Sequence, residues 1–251
     1  MIKEKNSGQT LIVAVLIIAL LLISTELYVY EFETTVDDSN PNSFSDSIFA
    51  IRLGSQHVVI SSLANISRGG LTSVLTTNLE DWASFIEEQR QLGKFILDFS
   101  TGETLPYHSG IWISWGADGV ATTGAYVNLT LKLSDRDLDI NTKHIINVTS
   151  TVQILGTYRV IQGGHKHINV TCNVLNEGKP ALAKNTILYY RNDTSWLPTT
   201  AQNNYSITNY GNGTYSMTFE ANITSSDVDV SLHVYDQRGI HALANVTCTE
   251  A

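Results

Sequence analysis

The stretch Ile168-Asn-Val-Thr-Cys172-Asn-Val174 alternates apolar and polar residues without interruption. In a β-strand, side chains at every second position share one face, so Ile168, Cys172 and the two valines are predicted to point into a core. Asn169 and Thr171 then point towards solvent. The sequence therefore predicts a half-buried strand at this position, within a β-domain.

The rest of the C-terminal part repeats this period of two. Short runs of alternating residues are separated by Gly, Asn and Asp, which are typical turn residues. Seven short strands in about 96 residues favour a β-sandwich. The predicted strands cover residues 156–161, 167–175, 186–191, 205–208, 214–220, 228–235 and 240–248.

One segment of this region resembles a known family. Ile207-Thr-Asn-Tyr-Gly-Asn-Gly-Thr-Tyr-Ser-Met-Thr-Phe219 is similar to the turn and strand of filamin-like and bacterial immunoglobulin-like repeats, with Asn209 in place of their usual Asp. Its glycines permit the positive φ of a turn, and Tyr215 is expected on the packed face with Met217. The resemblance implies an immunoglobulin-like sandwich over residues 156–251.

The two cysteines of the chain lie in two of these strands. Cys172 faces inward in the first, and Cys248 has the same parity as Val246 in Ala244-Asn-Val-Thr-Cys248, which again places it inward. Two inward cysteines in one small β-domain predict a disulfide in an oxidising compartment. The alternative is a pair of buried free thiols.

The preceding region, residues 45–155, mixes helical and strand patterns. Residues 45–102 are predicted to be helical, with a break at Gly69-Gly70 and a second helix over 72–92. Strands are predicted over 111–115, 123–134 and 144–155. We therefore expect a helix-plus-antiparallel-sheet domain, followed by the sandwich as a second domain.

Near its N-terminus the chain carries an uninterrupted apolar run, LIVAVLIIALLLI over residues 11–23, which extends in weaker form to residue 30. Twenty residues are enough to span a bilayer as a helix. Lys3 and Lys5 precede the run, so the N-terminus is predicted to be cytoplasmic and the rest extracellular. The alternatives are a cleaved signal peptide and a buried core helix.

The residues before this run, Lys5-Asn-Ser-Gly8-Gln9-Thr-Leu11, resemble the leader of type IV pilin-like proteins, particularly archaeal ones. In that family a membrane peptidase cuts after the glycine, which implies cleavage between Gly8 and Gln9. Val13 stands where many bacterial pilins have Glu. An ordinary signal anchor is the alternative. The expected layout is a leader over 1–10, a transmembrane helix over 11–30, a linker over 31–44, an α+β domain over 45–155 and the sandwich.

Nine Asn-x-Ser/Thr sequons follow the apolar run. Such sequons are glycosylation acceptors in secreted chains. In the predicted strand at 123–134, Asn128 lies opposite an apolar face, so a glycan there would point to solvent. The predicted glycosylation sites are Asn65, Asn128, Asn147, Asn169, Asn192, Asn204, Asn212, Asn222 and Asn245.

Charge and motifs limit the function classes. A net charge of −9 argues against a nucleic-acid partner, because such proteins need Lys and Arg against phosphates. His165-Lys-His167 and the acidic Asp135–Asn141 segment place metal-ligand types at alternate positions, but an EF-hand would need Gly at Ile140 and Glu at Ile146. We expect solvated turns there, no cofactor and no metal. We find no motif typical of an enzyme.

Together these features predict a non-enzymatic, membrane-anchored surface protein. The leader resemblance implies a pilin-like structural or assembly component that contacts related subunits. The alternative is a monomeric receptor or adhesin that binds a protein or carbohydrate through the sandwich. Trp112 and Trp115 lie on opposite faces of one predicted strand, and one of them is a candidate carbohydrate platform.

Overall fold

The computed structural model describes residues 41–88, 94–116, 118–135 and 138–251. Two α-helices come first within this part of the chain, α1 over Pro41–Ile66 and α2 over Val74–Glu88. The remainder is almost entirely sheet, and strands make up 58% of the structure. The fold is therefore mostly β, which corrects the prediction of an α+β chain.

The bounds of the strands are β1 Lys94–Ser100, β2 Ile111–Trp115, β3 Val120–Asp135, β4 Leu138–Gln162, β5 His165–Asn176, β6 Lys179–Pro180, β7 Ala183–Asn192, β8 Ser195–Pro198, β9 Asn203–Asn209, β10 Thr214–Asn222, β11 Val228–Asp236 and β12 His241–Glu250. Three consecutive strands, β3, β4 and β5, are the longest, and the others have ten residues or fewer.

The strands form two layers around a shared core. One layer has the order β4-β5-β10-β9 and the other β8-β7-β11-β12, and β12 joins them by a short parallel pairing of Thr249 with Thr157 on β4. The alternating inward residues of both layers fill the core, as expected for strands with one buried face. Phe219, Met217, Ile168, Leu188 and Leu232 are among its fully buried side chains.

Strand β4 crosses the predicted boundary between the two domains. Its first part pairs with β3 and its second part with β5, and residues Ser150 to Gln153 pair with both. The predicted boundary between residues 155 and 156 therefore lies within one continuous strand. Residues Phe49–Ala251 form one compact unit.

A second correction concerns where the helical region ends. The second helix was predicted over residues 72–92, and the helical region up to residue 102. Helix α2 ends at Glu88, and Lys94–Ser100 is strand β1, antiparallel to β3. Phe95 and Leu97 alternate with the exposed Asp98, which is a period of two rather than a helical period. Both apolar residues are buried beside Leu131 and Leu133 of β3, as the register of the two strands dictates.

The two helices pack against each other at a glycine. A Cβ atom on Gly54 would overlap the Trp82 ring, so glycine permits the close approach of α2 to α1. The Trp82 Nε1 donates a hydrogen bond to Ser55 Oγ at 2.9 Å, and Asn78 Nδ2 donates one to Ser62 Oγ at 2.9 Å. These bonds satisfy polar groups at an otherwise apolar helix contact.

The predicted transmembrane helix is not supported by the structure. Neither of the helices in the described ranges is both long and apolar enough to cross a bilayer. The apolar run at 11–30 and the predicted cleavage point between Gly8 and Gln9 lie outside the described residues. The predicted linker at 31–44 is also interrupted, because α1 begins at Pro41.

The predicted disulfide is not formed. Cys172 and Cys248 are both buried free thiols. Burial raises the pKa of each thiol to about 12, so both stay protonated and behave as small apolar core groups. Cys248 Sγ lies so close to Gly156 that a Cβ atom there would overlap it. Packing against Cys248 thus explains the glycine inside β4, at the position where a new strand was predicted to begin.

Candidate functional site

A groove of about 350 Å³ lies on the outer face of the β8-β7-β11-β12 layer. We refer to it below as the outer groove. Aromatic and aliphatic side chains form its walls, and small polar groups lie between them. It is lined by Tyr189, Trp196, Ser231, His233, Leu243 and Asn245.

The register of three strands creates this depression. Ser231 on β11 lies opposite Tyr189 on β7 and Asn245 on β12. Directly opposite residues share a face, so the small serine lies between two larger side chains. His233 is two residues further along β11, opposite Leu243, and therefore continues the same face.

Trp196 forms the wall at the edge strand β8. A tight turn with Asp193 at φ 53° brings β8 back against β7, where Trp196 lies opposite Arg191. The Trp196 side chain is 44% exposed. A large aromatic surface is therefore available to a ligand at the edge of the layer.

Asn245 presents an unpartnered acceptor. Its backbone is fixed to the loop before β3, because its N–H donates to Gly116 O at 3.2 Å and its carbonyl accepts from Gly119 N at 2.8 Å. Its side-chain Oδ1 is buried and has no hydrogen-bond partner in the protein. A buried acceptor without a partner costs about 1–3 kcal/mol, so this oxygen favours any ligand that donates to it.

His233 connects the outer groove to a buried histidine. The carbonyl oxygen of Ser67 can only accept, so His241 Nδ1 donates to it at 3.2 Å. In the neutral ring His241 Nε2 is then an acceptor, and His233 Nδ1 donates to it at 3.3 Å. Burial lowers the pKa of both imidazoles, and the neighbouring His241 lowers that of His233 further.

None of the described residues that line the outer groove carries a formal charge near neutral pH. Two charged side chains on the same face neutralise each other, since Arg191 Nη1 lies 3.4 Å from Asp229 Oδ2. Thr247 Oγ1 also donates to Asp229 Oδ1 at 2.7 Å. The arrangement suits a neutral ligand better than an ionic one.

The sequon asparagines differ in exposure. Most are exposed, and Asn169, Asn204, Asn212 and Asn222 belong to strands or turns of the β4-β5-β10-β9 layer. Asn65 and Asn147 are also exposed. The remaining three, Asn128, Asn192 and Asn245, are half-buried. Whether any carries a glycan stays a prediction.

The other candidate sites do not assemble into a centre. His167 Nδ1 lies 3.4 Å from Glu220 Oε1, but no group of three potential metal ligands occurs within the described ranges. The acidic segment contains the hairpin pairing of Asp135 with Leu138, and residues 136 and 137 lie outside the described residues. Trp115, 39% exposed, contacts the edge of the His241 ring instead of forming an isolated platform.

The sequence alone singled out only Asn245 among the residues of the outer groove. Strand β8 is four residues long and was not among the predicted strands, so Trp196 remained unplaced. The outward positions of β11 followed from the predicted strand at 228–235. Their neighbours on β7 and β12 depend on cross-strand register, which the alternation of residues does not specify.

No known protein-family model matches this chain, and no curated protein matches it either. The candidate site therefore has to be interpreted from its own geometry and chemistry.

Proposed function

We propose that this protein is a membrane-anchored surface protein that binds a partner molecule, without catalysis, through the outer groove. The groove is the observation that carries the proposal: it combines an exposed aromatic wall, a buried unpartnered acceptor and a neutral lining. Concave sites with mostly apolar walls and a few converging polar groups are typical ligand sites.

The layer order supports a display role. The orders β4-β5-β10-β9 and β8-β7-β11-β12 correspond to those of immunoglobulin-type sandwiches, an architecture that many cell-surface domains share. This agrees with the resemblance of residues 207–219 to immunoglobulin-like repeats. The architecture alone does not specify a ligand, so the binding role depends on the groove.

The location is inferred from the N-terminal sequence. The apolar run at 11–30 would hold the chain in the cell membrane, and Lys3 and Lys5 would keep the N-terminus in the cytoplasm. The sandwich and its sequons would then lie outside the cell. We expect no nucleic-acid partner, because the chain is acidic.

A second candidate function is a pilin-like structural component. Its support is a set of exposed apolar side chains on the helices: Phe49 and Leu53 lie one turn apart on α1 and are 67% and 44% exposed. On α2, Phe85 is 49% exposed and stacks on Trp82 with ring centroids 5.5 Å apart. Exposed apolar side chains of this kind are buried by neighbouring subunits in assemblies.

Proteinase treatment of intact cells tests the proposed function. The surface role predicts loss of the sandwich, with a protected N-terminal fragment that includes the apolar run at 11–30. Mass spectrometry of that fragment also tests the leader, since a filament subunit should begin at Gln9. Full protection of the sandwich until the cells are permeabilised would refute the surface role.

A further inference from the structure

We infer that the outer groove binds a neutral sugar ring. This inference rests on the proposed function, because it names the ligand class of the same site. The groove volume of about 350 Å³ lies at the lower end of small-molecule sites, about 300–1,000 Å³, and accommodates one or two sugar rings.

The walls fit the apolar face of such a ring. The C–H groups of a pyranose carry partial positive charge and pack on the negative face of an aromatic ring. Trp196 offers an exposed indole at the edge, and Tyr189 lies on the neighbouring strand, with its ring 5.0 Å from His233. Leu243 adds an aliphatic contact on the opposite side.

The polar groups fit the hydroxyls of the ring. Asn245 Oδ1 is an acceptor that no protein group donates to. A sugar hydroxyl can donate the missing hydrogen bond to this oxygen. The Ser231 hydroxyl both donates and accepts. Sugar recognition needs such neutral donors and acceptors at the edge of an aromatic surface.

The charge of the site selects against anionic sugars. No lining residue is cationic near neutral pH, and the Arg191 guanidinium on the same face is paired with Asp229. A carboxylate or sulfate would therefore lose hydration without gaining an ion pair. The expected ligand is a neutral hexose or N-acetylhexosamine unit.

The sugar could be foreign to the chain or could be a glycan on its own Asn245, and two variants separate these sources. Thr247→Ala removes the sequon of Asn245 and leaves every lining residue of the outer groove in place. Thr247→Ser keeps both the sequon and a hydroxyl that can donate to Asp229. If the native chain binds no added sugar but the Thr247→Ala variant does, the chain's own glycan fills the groove.

The experiment is saturation-transfer NMR on the full-length chain in nanodiscs, with methyl glycosides of glucose, galactose, mannose and N-acetylglucosamine as probes. N-acetylneuraminic acid is the anionic control. We expect saturation of at least one neutral sugar, in the native chain or in Thr247→Ala, and none of the acid.

Groove variants show whether any binding occurs at this site. Trp196→Ala should weaken the affinity by about tenfold or more, which is about 1.4 kcal/mol, whereas Trp196→Phe should keep most of it. Tyr210→Ala is the matched control, because Tyr210 is exposed but lies in the β9–β10 turn. Thermal unfolding of each variant controls for folding.

The inference is overturned if no neutral sugar binds either the native chain or Thr247→Ala, or if Trp196→Ala binds as tightly as the native chain. A protein that is displayed on cells but fails these sugar tests would retain the proposed surface location and lose the ligand class.

Discussion

His241 Nε2 lies 3.3 Å from His233 Nδ1. Trp115 and Tyr235 contact the His241 ring, and Tyr189 contacts the His233 ring. The pair joins the outer groove to Ser67 at the end of the helical segment. Only neutral His241 can accept the hydrogen bond from His233, so the contact depends on pH.

We predict that the free energy of unfolding decreases as the pH falls below about 6.5, because His233 and His241 have lowered pKa values in the folded protein. Burial makes the folded-state pKa of both imidazoles lower than the unfolded value of about 6.5. The unfolded state therefore binds more protons in acid, and the stabilisation that is complete above about pH 6.5 declines as the pH falls towards the folded-state pKa values. Urea unfolding at pH 7.5, 6.5 and 5.5 measures this decline.

The control for this prediction is His233→Asn, which removes one titrating ring at the groove. Its free energy of unfolding should fall less steeply between pH 7.5 and 5.5 than that of the native chain. Carboxylates elsewhere titrate in both proteins and cancel in the comparison. An equal slope for the two proteins would contradict the role of the pair.

A second prediction concerns Gly156 and Cys248. Gly156→Ala should destabilise the chain by about 1–3 kcal/mol, because the new Cβ overlaps Cys248 Sγ. The cost should be smaller in a Cys248→Ala background, where the overlapping sulfur is absent. A double-mutant cycle by urea unfolding measures this coupling.

Gly102→Ala is the matched control for the cycle. The nearest atom to a Cβ at Gly102 is 3.5 Å away, so the substitution should be nearly neutral in both backgrounds. If Gly156→Ala costs the same with and without the Cys248 thiol, the packing explanation for the glycine is wrong.

These two positions also show what sequence could and could not predict. The alternation around Cys172 and at Val127–Leu133 correctly identified inward faces, because strand period is local. Gly156 was predicted to begin a new strand, although it lies inside β4 and packs against a side chain 92 residues away in the chain. The outer groove was missed for the same reason, since neighbours across strands are set by register.

Some short strands were also predicted wrongly, either as part of a helix or not at all. Lys94–Ser100 follows closely on α2 and contains only three alternations, which are too few to outweigh the preceding helical pattern. The edge strand β8 has four residues and a proline. Such elements are fixed by pairing with a longer neighbour, here β3 and β7.

A third prediction concerns glycan placement. We expect glycans on the exposed asparagines Asn169, Asn204, Asn212 and Asn222, which leaves the outer groove uncovered. Asn245 should carry none, because its side chain is half-buried among the residues that line the outer groove. Glycopeptide mass spectrometry of native protein measures the occupancy of each site. High occupancy at Asn245, with no glycans on the β4-β5-β10-β9 layer, would contradict the prediction that the outer groove is free of glycans.

The central expectation is that the outer groove faces the cell exterior, and a single introduced cysteine can report this. Cys172 and Cys248 are buried with pKa values of about 12, so neither should react with a maleimide at pH 7.5. The measurement is the labelling of a Trp196→Cys variant on intact cells by a membrane-impermeant maleimide, followed by mass spectrometry. The native chain is the negative control, and Tyr210→Cys is an exposed positive control. We predict labelling at positions 196 and 210 without permeabilisation and no labelling of the native chain. Labelling at position 196 only after permeabilisation would contradict it.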